Sequence, residues 1–184
     1  FSEREVRRLV LAADFEWQGL IMCAFYTGQR LGDIASLTWE NFDPVNGDLI
    51  FQTIKTDRSM AIPVASPLMR YFEKLPAGDD PQAPLFPNAY ASLMRNNKVA
   101  GLSNQFRKIM VKAGLVEDKN HQSTGKGRAA KRQVSKYSFH SLRHTTTSML
   151  KNAGVSAPIT QDIVGHDSEP VSRQYTHIDM AAKR

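Results

Sequence analysis

The sequence lacks the features that mark secreted or membrane proteins. It contains a single cysteine, Cys23, among 184 residues, so no intramolecular disulfide can form. The longest apolar run, Leu20 to Tyr26, is far shorter than the roughly 18 residues that a membrane-spanning helix needs. No signal-peptide pattern follows Phe1. We therefore expect a cytoplasmic protein without a membrane partner, and we expect Cys23 to be a thiol of the core.

Acidic residues are scarce in one segment of the chain. Residues 91–143 hold twelve of the 24 Lys and Arg residues but only two of the 18 Asp and Glu residues. The chain carries a formal net charge of +6, and its hydrophobic content of 41% is close to the globular average. One basic segment in a globular chain is typical of a protein that binds a polyanion, although a solvated basic face explains the charge equally well.

The hydrophobic pattern predicts mostly helices. Ser2 and Glu5 form a capping box at the first helix, which should run to about Ala13. One β-hairpin is indicated by Leu49 to Ile54 and Met60 to Val64. The fold class is therefore mainly α with a small antiparallel β-sheet (α+β). The other predicted helices are Trp17–Thr27, Leu31–Leu37, Ser66–Leu75 with Ser66 as its cap, one through Phe106 and Ala113, Ser141–Ala153, Pro158–Val164 and Pro170–Tyr175, and a mobile loop is predicted for 117–136.

The polar residues that could take part in catalysis or binding are concentrated in short motifs. Arg30 follows a glycine turn, and Asp33 can meet it one helical turn later, as in an ordinary surface ion pair. Lys55 ends the first hairpin strand, where a lysine can reach a site or simply discourage strand pairing. His140 and His144 have the spacing of a zinc pair, but Ser141 replaces the Glu of the hydrolytic zinc signature.

These motifs together resemble the tyrosine recombinase (phage integrase) family. The resemblance covers almost the whole chain, and the motifs follow in the family's order. They are Thr27-Gly28-Gln29-Arg30, Leu37-Thr38-Trp39, Ile54-Lys55-Thr56, His140-Ser141-Leu142-Arg143-His144-Thr145, Val164-Gly165-His166 and Tyr175-Thr176-His177.

The resemblance implies one catalytic domain over residues 1–184, without the core-binding domain that normally precedes it. Asp33 and Ser141 depart from the usual glutamate and aspartate at supporting positions. It also implies a bacterial, phage or mobile-element protein that cuts and rejoins double-stranded DNA without a cofactor, as a homotetramer on DNA that can be a monomer when free. The implied catalytic residues are Arg30, Lys55, His140, Arg143, His166 and Tyr175.

The chemistry of phosphodiester cleavage suits these residue types. Tyr175 would attack phosphorus, but a free phenol has a pKa of about 10 and needs assistance at neutral pH. Arg30 and Arg143 can present planar forks to phosphate oxygens, in place of metal ions. His140 would accept the phenol proton, and Lys55 would protonate the leaving 5′-oxygen. His166 would donate a hydrogen bond to the phosphate.

The basic segment supplies candidates for contacts to the DNA backbone. Three other activities remain open from sequence: a type IB topoisomerase-like relaxing enzyme, a DNA-binding module without catalysis, and a zinc hydrolase. The candidate DNA-contact residues are Arg95, Lys98, Arg107, Lys108, Lys112, Lys126, Arg128, Lys131 and Arg132.

Overall fold

The computed structural model describes residues 1–76, 78–96, 99–118 and 136–165. Within these ranges the chain is mostly helical, with a small antiparallel sheet, as the hydrophobic pattern predicts. A short 3₁₀ turn, Trp39–Asn41, precedes the sheet. The helices and strands are α1 (Glu3–Ala12), α2 (Phe15–Thr27), α3 (Leu31–Ala35), β1 (Phe42–Asp43), β2 (Asp48–Gln52), β3 (Ser59–Pro63), α4 (Ser66–Phe72), α5 (Pro87–Asn96), α6 (Ala100–Lys112), α7 (His140–Asn152) and α8 (Ala157–Val164).

Side-chain caps define where the first two helices begin. The Ser2 hydroxyl accepts a hydrogen bond from the Glu5 N–H, and the Glu5 carboxylate accepts one from the Ser2 N–H, which is the predicted capping box. The Asp14 carboxylate accepts a hydrogen bond from the Trp17 N–H, so α2 begins two residues earlier than predicted.

The sheet is a three-stranded meander in the order β1-β2-β3. In the β2–β3 pair, Leu49 lies opposite Ile62 and Phe51 opposite Met60, and all four side chains are buried. The sheet therefore turns one face to the core and one to solvent. The two-residue strand β1 is too short to leave an alternating pattern, and the sequence did not predict it.

Helix α2 is the centre of the fold. It packs against α1, α3, α4 and α7, which explains why it is apolar on nearly every side. Cys23 is fully buried within it, as predicted, and burial raises the pKa of its thiol. Among the helices in the described part of the chain, none combines the length and apolar character that crossing a bilayer requires.

One local prediction was wrong, and one helix was missed. Ala65, not Ser66, is the N-cap of α4, because Ala65 is the last extended residue and Pro67 already occupies the first turn. Helix α5 was not predicted, since its buried face consists of little more than Ala89 and Leu93. The helix Pro170–Tyr175 and most of the loop 117–136 lie outside the described residues.

Candidate active site

Arg30 stands at the start of α3, immediately after the turn that ends α2. Gly28 ends α2 with a φ of 69°, a left-handed conformation that glycine adopts without steric cost. Arg30 is the N-cap residue of α3 with extended backbone, so its side chain projects from the junction between two helices. The side chain is 28% exposed.

A buried carboxylate holds Arg30. Asp33 is only 2% exposed, so the two residues do not form an ordinary surface ion pair. The distance from Asp33 Oδ2 to Arg30 Nη1 is 3.8 Å, which is too long for a hydrogen bond. Among the described residues, the Arg30 guanidinium donates no hydrogen bond to protein. Asp33 thus orients the charge without using the N–H groups that an external anion would need.

The same carboxylate fixes the hairpin that carries Lys55. Asp33 Oδ1 accepts a hydrogen bond of 2.8 Å from the Ile54 N–H, one residue before Lys55. Lys55 lies in the turn between β2 and β3, not at the end of a strand as predicted. The strand stops early because the Thr53 hydroxyl accepts a hydrogen bond from the Arg58 N–H and pairs with the Thr56 hydroxyl at 2.8 Å. Lys55 is exposed on this turn.

Arg143 has a different environment from Arg30. It is 1% exposed, and it is among the largest fully buried side chains of the core. Its Nη1 donates to the Gly28 carbonyl at 2.8 Å, and its Nη2 donates to the Gly165 carbonyl at 3.1 Å. Both carbonyls belong to helix C-termini, whose partial negative charge stabilises a buried cation. The Arg143 guanidinium, which was predicted to bind phosphate oxygens, therefore uses part of its N–H groups to bind the backbone.

His140 is the first residue of α7 and keeps an accessible edge. The pKa of its imidazole is lowered to about 4, chiefly by partial burial and secondly by the neighbouring positive charges of His144, Arg143, Arg30 and Lys55. The His140 and His144 rings meet edge to face at a centroid distance of 5.4 Å. Within the described residues, no third His, Cys, Asp or Glu completes a metal-binding group with them.

Arg30 and His140 line the same groove. It has a volume of about 410 Å³ and runs between α3, α6 and the start of α7. Its floor is apolar, with Phe106 and Met110 from α6, and Arg107 adds a second cation to its wall. An open groove with cations around an apolar floor is suited to an extended anionic ligand.

The structure brings together the four predicted catalytic residues that it describes. Arg30 and His140 share the groove, Lys55 follows the Asp33-bound residue, and Arg143 binds the Gly28 carbonyl two residues before Arg30. His166 and Tyr175 lie outside the described residues, and their roles stay predictions.

The predicted DNA-contact residues divide in a similar way. Lys108 and Lys112 are exposed one turn apart on α6, beside Arg107, which lines the groove and donates to the Glu117 carbonyl. Arg95 is exposed in the last turn of α5. The remaining candidates lie outside the described residues: Lys98, Lys126, Arg128, Lys131 and Arg132.

Sequence reasoning missed the supporting role of Gln29, and it placed Asp33 at a supporting position without predicting its burial. Gln29 is 2% exposed and donates hydrogen bonds to backbone carbonyls of two helices. A polar side chain beside a glycine turn, within a strongly apolar segment, was the available signal for this role.

Comparison with known proteins places this fold. The model of the phage integrase family matches residues 1–182. A tyrosine recombinase XerD from Neisseria meningitidis serogroup B (strain ATCC BAA-335 / MC58) is 24% identical over 183 residues, which cover 96% of this chain and 57% of that protein.

Solved structures agree with this assignment. The crystal structure of XerA recombinase superposes with a TM-score of 0.71 at 22% identity, over 100% of this chain and 62% of that one. The catalytic domain of bacteriophage HP1 integrase superposes with a TM-score of 0.63 at 20% identity, over 95% of this chain and 84% of that one. The chain thus spans about three-fifths of the XerD and XerA recombinases. Since the family model covers nearly every residue, the chain belongs to the phage integrase family.

Proposed function

We propose that this chain is the catalytic domain of a site-specific recombinase that cuts and rejoins duplex DNA. The observation that carries the proposal is the environment of Arg30. Its guanidinium lines an open groove, is held by buried Asp33, and donates no hydrogen bond to protein among the described residues. A fixed cation with available donors in a groove binds a phosphate group.

The proposed reaction requires neither a metal ion nor ATP. The Tyr175 oxygen attacks a DNA phosphorus, and a phenol-oxygen–phosphorus bond replaces the bond to the 5′-oxygen. The phenol proton passes to His140, and Lys55 protonates the departing 5′-oxygen. The resulting 3′-phosphotyrosyl ester conserves the phosphodiester linkage, so another 5′-hydroxyl can reverse the attack and join the strands.

The two arginines would act differently. Arg30 would donate to the non-bridging oxygens, because it is exposed in the groove. Arg143, bound to two carbonyls, would hold a fixed positive charge beneath the same phosphate. Fixed charges stabilise the transition state better than mobile ones, since they need no reorganisation during the reaction.

The state of His140 supports its role as proton acceptor. With a pKa lowered to about 4, the imidazole is neutral at pH 7 and has a lone pair available. A bound phosphate would offset the neighbouring cations that lower this pKa, so the imidazole would become more basic as the substrate binds.

The basic surface would position the DNA. Lys108 and Lys112 are exposed on α6, the helix that contributes Arg107 to the groove, and we propose that they contact the DNA backbone together with Arg95 and Arg107. Among the structurally similar proteins are a lambda integrase dimer bound to a core site and a XerH recombinase bound to its difH substrate. A homotetramer on double-stranded DNA is the assembly we propose for this chain.

Trapping of a covalent adduct tests the proposed chemistry. Wild-type chain is incubated with a nicked suicide duplex of the target sequence in EDTA, and the products are separated on a denaturing gel. We expect a protein–DNA adduct with wild type and Tyr90→Phe, and none with Tyr175→Phe. Tyr90 is a matched control because it lies on α5, outside the groove lining.

The same assay distinguishes the other activities. Adduct formation by Tyr175→Phe would refute the assigned nucleophile. Retention of DNA by the wild type without any adduct would indicate a binding module. Relaxation of supercoiled DNA without strand exchange would indicate a topoisomerase-like enzyme, and stoichiometric zinc in the purified protein would favour the hydrolase alternative.

A further inference from the structure

Two helix C-termini meet at the turn that carries Arg30. Helix α2 ends at Thr27 and helix α8 at Val164, and a left-handed glycine follows each. A Cβ atom on Gly28 would lie 3.2 Å from Val164 Cγ2, so the two ends are closely packed. The terminal carbonyls of both helices carry partial negative charge and repel each other unless hydrogen-bond donors lie between them.

Arg143 supplies one bridge between these ends, because it donates to the Gly28 and Gly165 carbonyls. Gln29 supplies a second bridge. Its Nε2 donates to the Thr27 carbonyl at 3.0 Å and to the Ile163 carbonyl at 2.8 Å. Each of the two side chains therefore donates hydrogen bonds to both helix ends.

The orientation of the Gln29 amide is determined by these partners. Rotating it by 180° would place its oxygen against the carbonyls of Thr27 and Ile163, and two acceptors cannot pair. In the observed orientation, Oε1 accepts no hydrogen bond among the described residues. The donors of this buried amide are thus satisfied while its acceptor is not, which indicates that the site requires a donor.

We infer that Gln29 is a positioning residue that holds the turn carrying Arg30 against the end of α8, where the chain continues to His166. The inference rests on the proposed function for its catalytic consequence. Its structural basis is the pair of hydrogen bonds from one buried amide to Thr27 and Ile163. Without that amide, the hydrogen bonds between the two turns in the described part of the chain would be those of Arg143, and Arg30 would lose part of its fixed position.

Hydrogen–deuterium exchange of the full chain tests the bridge without any DNA. Gln29→Met keeps the length of the side chain and removes its donors. We expect exchange in peptides spanning 27–31 and 161–165 to accelerate about tenfold, because both turns lose a bond. Gln18→Met is the matched control, since the hydrogen bond of Gln18 Nε2 within the described ranges is to the local Ala13 carbonyl. Unchanged protection of both segments in Gln29→Met would overturn the inference.

Single-turnover cleavage of the suicide duplex at saturating DNA tests the catalytic consequence. We expect Gln29→Met to slow adduct formation about tenfold, with DNA affinity within about twofold of wild type. In an Arg30→Lys background the same substitution should slow cleavage less than about threefold, because its effect acts through the Arg30 guanidinium. Equal losses in both backgrounds would indicate a general structural role and would overturn the inference.

Two further outcomes are distinguishable. If wild type forms no adduct, the proposed function fails, and hydrogen exchange alone decides the role of Gln29. If Gln29→Met does not fold, Gln29→Asn replaces it, since the shorter amide remains polar but does not reach from Thr27 to Ile163. Wild-type exchange rates in Gln29→Asn would then overturn the inference.

Discussion

At the scale of single residues, Arg30 and Arg143 show how position assigns different tasks to one side-chain type. Arg30 is 28% exposed and lies 3.8 Å from a buried carboxylate, so it is oriented while its N–H groups remain directed at the groove. Arg143 is 1% exposed and bonded to two carbonyls, so its charge is fixed inside the protein. A lysine could not replace Arg143, because an ammonium lacks the planar fork that reaches both carbonyls.

Asp33→Asn tests how much the buried charge contributes to Arg30. The amide oxygen can still accept the Ile54 N–H, so the hairpin should stay in place, but the attraction to Arg30 is lost. We expect single-turnover adduct formation to slow by about 10- to 100-fold, which corresponds to roughly 1.4–2.8 kcal/mol of transition-state stabilisation. Asp57→Asn, on the exposed part of the same hairpin turn, is the control and should cleave normally. A wild-type rate for Asp33→Asn would contradict the proposed role.

His140 makes the stability of the fold sensitive to acid. Its pKa is lowered to about 4 in the folded chain, against about 6.5 for a free imidazole, so the unfolded chain binds the proton more readily between these values. The contribution of neutral His140 to the free energy of unfolding is fully present above pH 6.5, and it is lost as the pH falls towards 4. We expect the Tm of His140→Asn to fall less than that of wild type between pH 7 and pH 4.5, as measured by thermal denaturation. If the Tm of both proteins changes with pH in the same way, the lowered pKa of His140 is contradicted.

At the scale of elements, the contact between α2 and α4 depends on a residue without a side chain. The Tyr71 ring lies directly over Gly19, and its hydroxyl donates to the Phe15 carbonyl at 2.9 Å. Any Cβ on Gly19 would overlap that ring. This close approach brings the sheet and α4 against the central helix, and thereby positions the hairpin that carries Lys55.

Gly19→Ala should therefore destabilise the fold despite the better helix propensity of alanine. We expect a loss of about 1–3 kcal/mol in the free energy of unfolding, because the added methyl group displaces a packed aromatic ring. Urea denaturation with linear extrapolation provides the measurement. Gly78→Ala is the control, since a Cβ there meets nothing within 4 Å. Equal stability of Gly19→Ala and wild type would contradict this prediction, because the Tyr71 ring would then move aside without a loss in the free energy of unfolding.

Some secondary-structure elements can be predicted from local sequence patterns, and others cannot. The capping box at Ser2 and the glycine end of α2 at Gly28 were predicted correctly, because each depends on a few neighbouring residues. Helix α5 was missed and Lys55 was placed at the end of a strand. Both errors concern segments whose structure depends on partners distant in sequence, such as the bond between Asp33 and Ile54.

At the scale of the whole molecule, the net charge of +6 conceals an uneven distribution. The exposed lysines Lys108 and Lys112 lie on α6, the helix that also provides the floor of the groove. We expect DNA bound along α6 to contact these two lysines as well as the groove. Backbone contacts of this kind release counterions and make binding depend steeply on salt concentration.

The salt dependence of DNA binding tests this surface. We expect Lys108→Ala and Lys112→Ala each to reduce the slope of log affinity against log salt by about 1, for any duplex sequence. Lys74→Ala, an exposed lysine outside the basic segment, is the charge-matched control and should leave the slope unchanged. Affinity that does not respond to ionic strength would contradict the proposed interface.

The sequence by itself determined the helical class, the two hairpin strands, the burial of Cys23 and the order of the family's motifs. These properties follow from short-range rules, since caps, turn residues and hydrophobic period act within a few residues. Only the tertiary structure decided that Asp33 and Gln29 are buried and that Arg143 binds carbonyls of two helix ends. Those outcomes depend on which distant segments pack together, and the bonding partners of a buried polar group come from that packing, not from its neighbours in sequence.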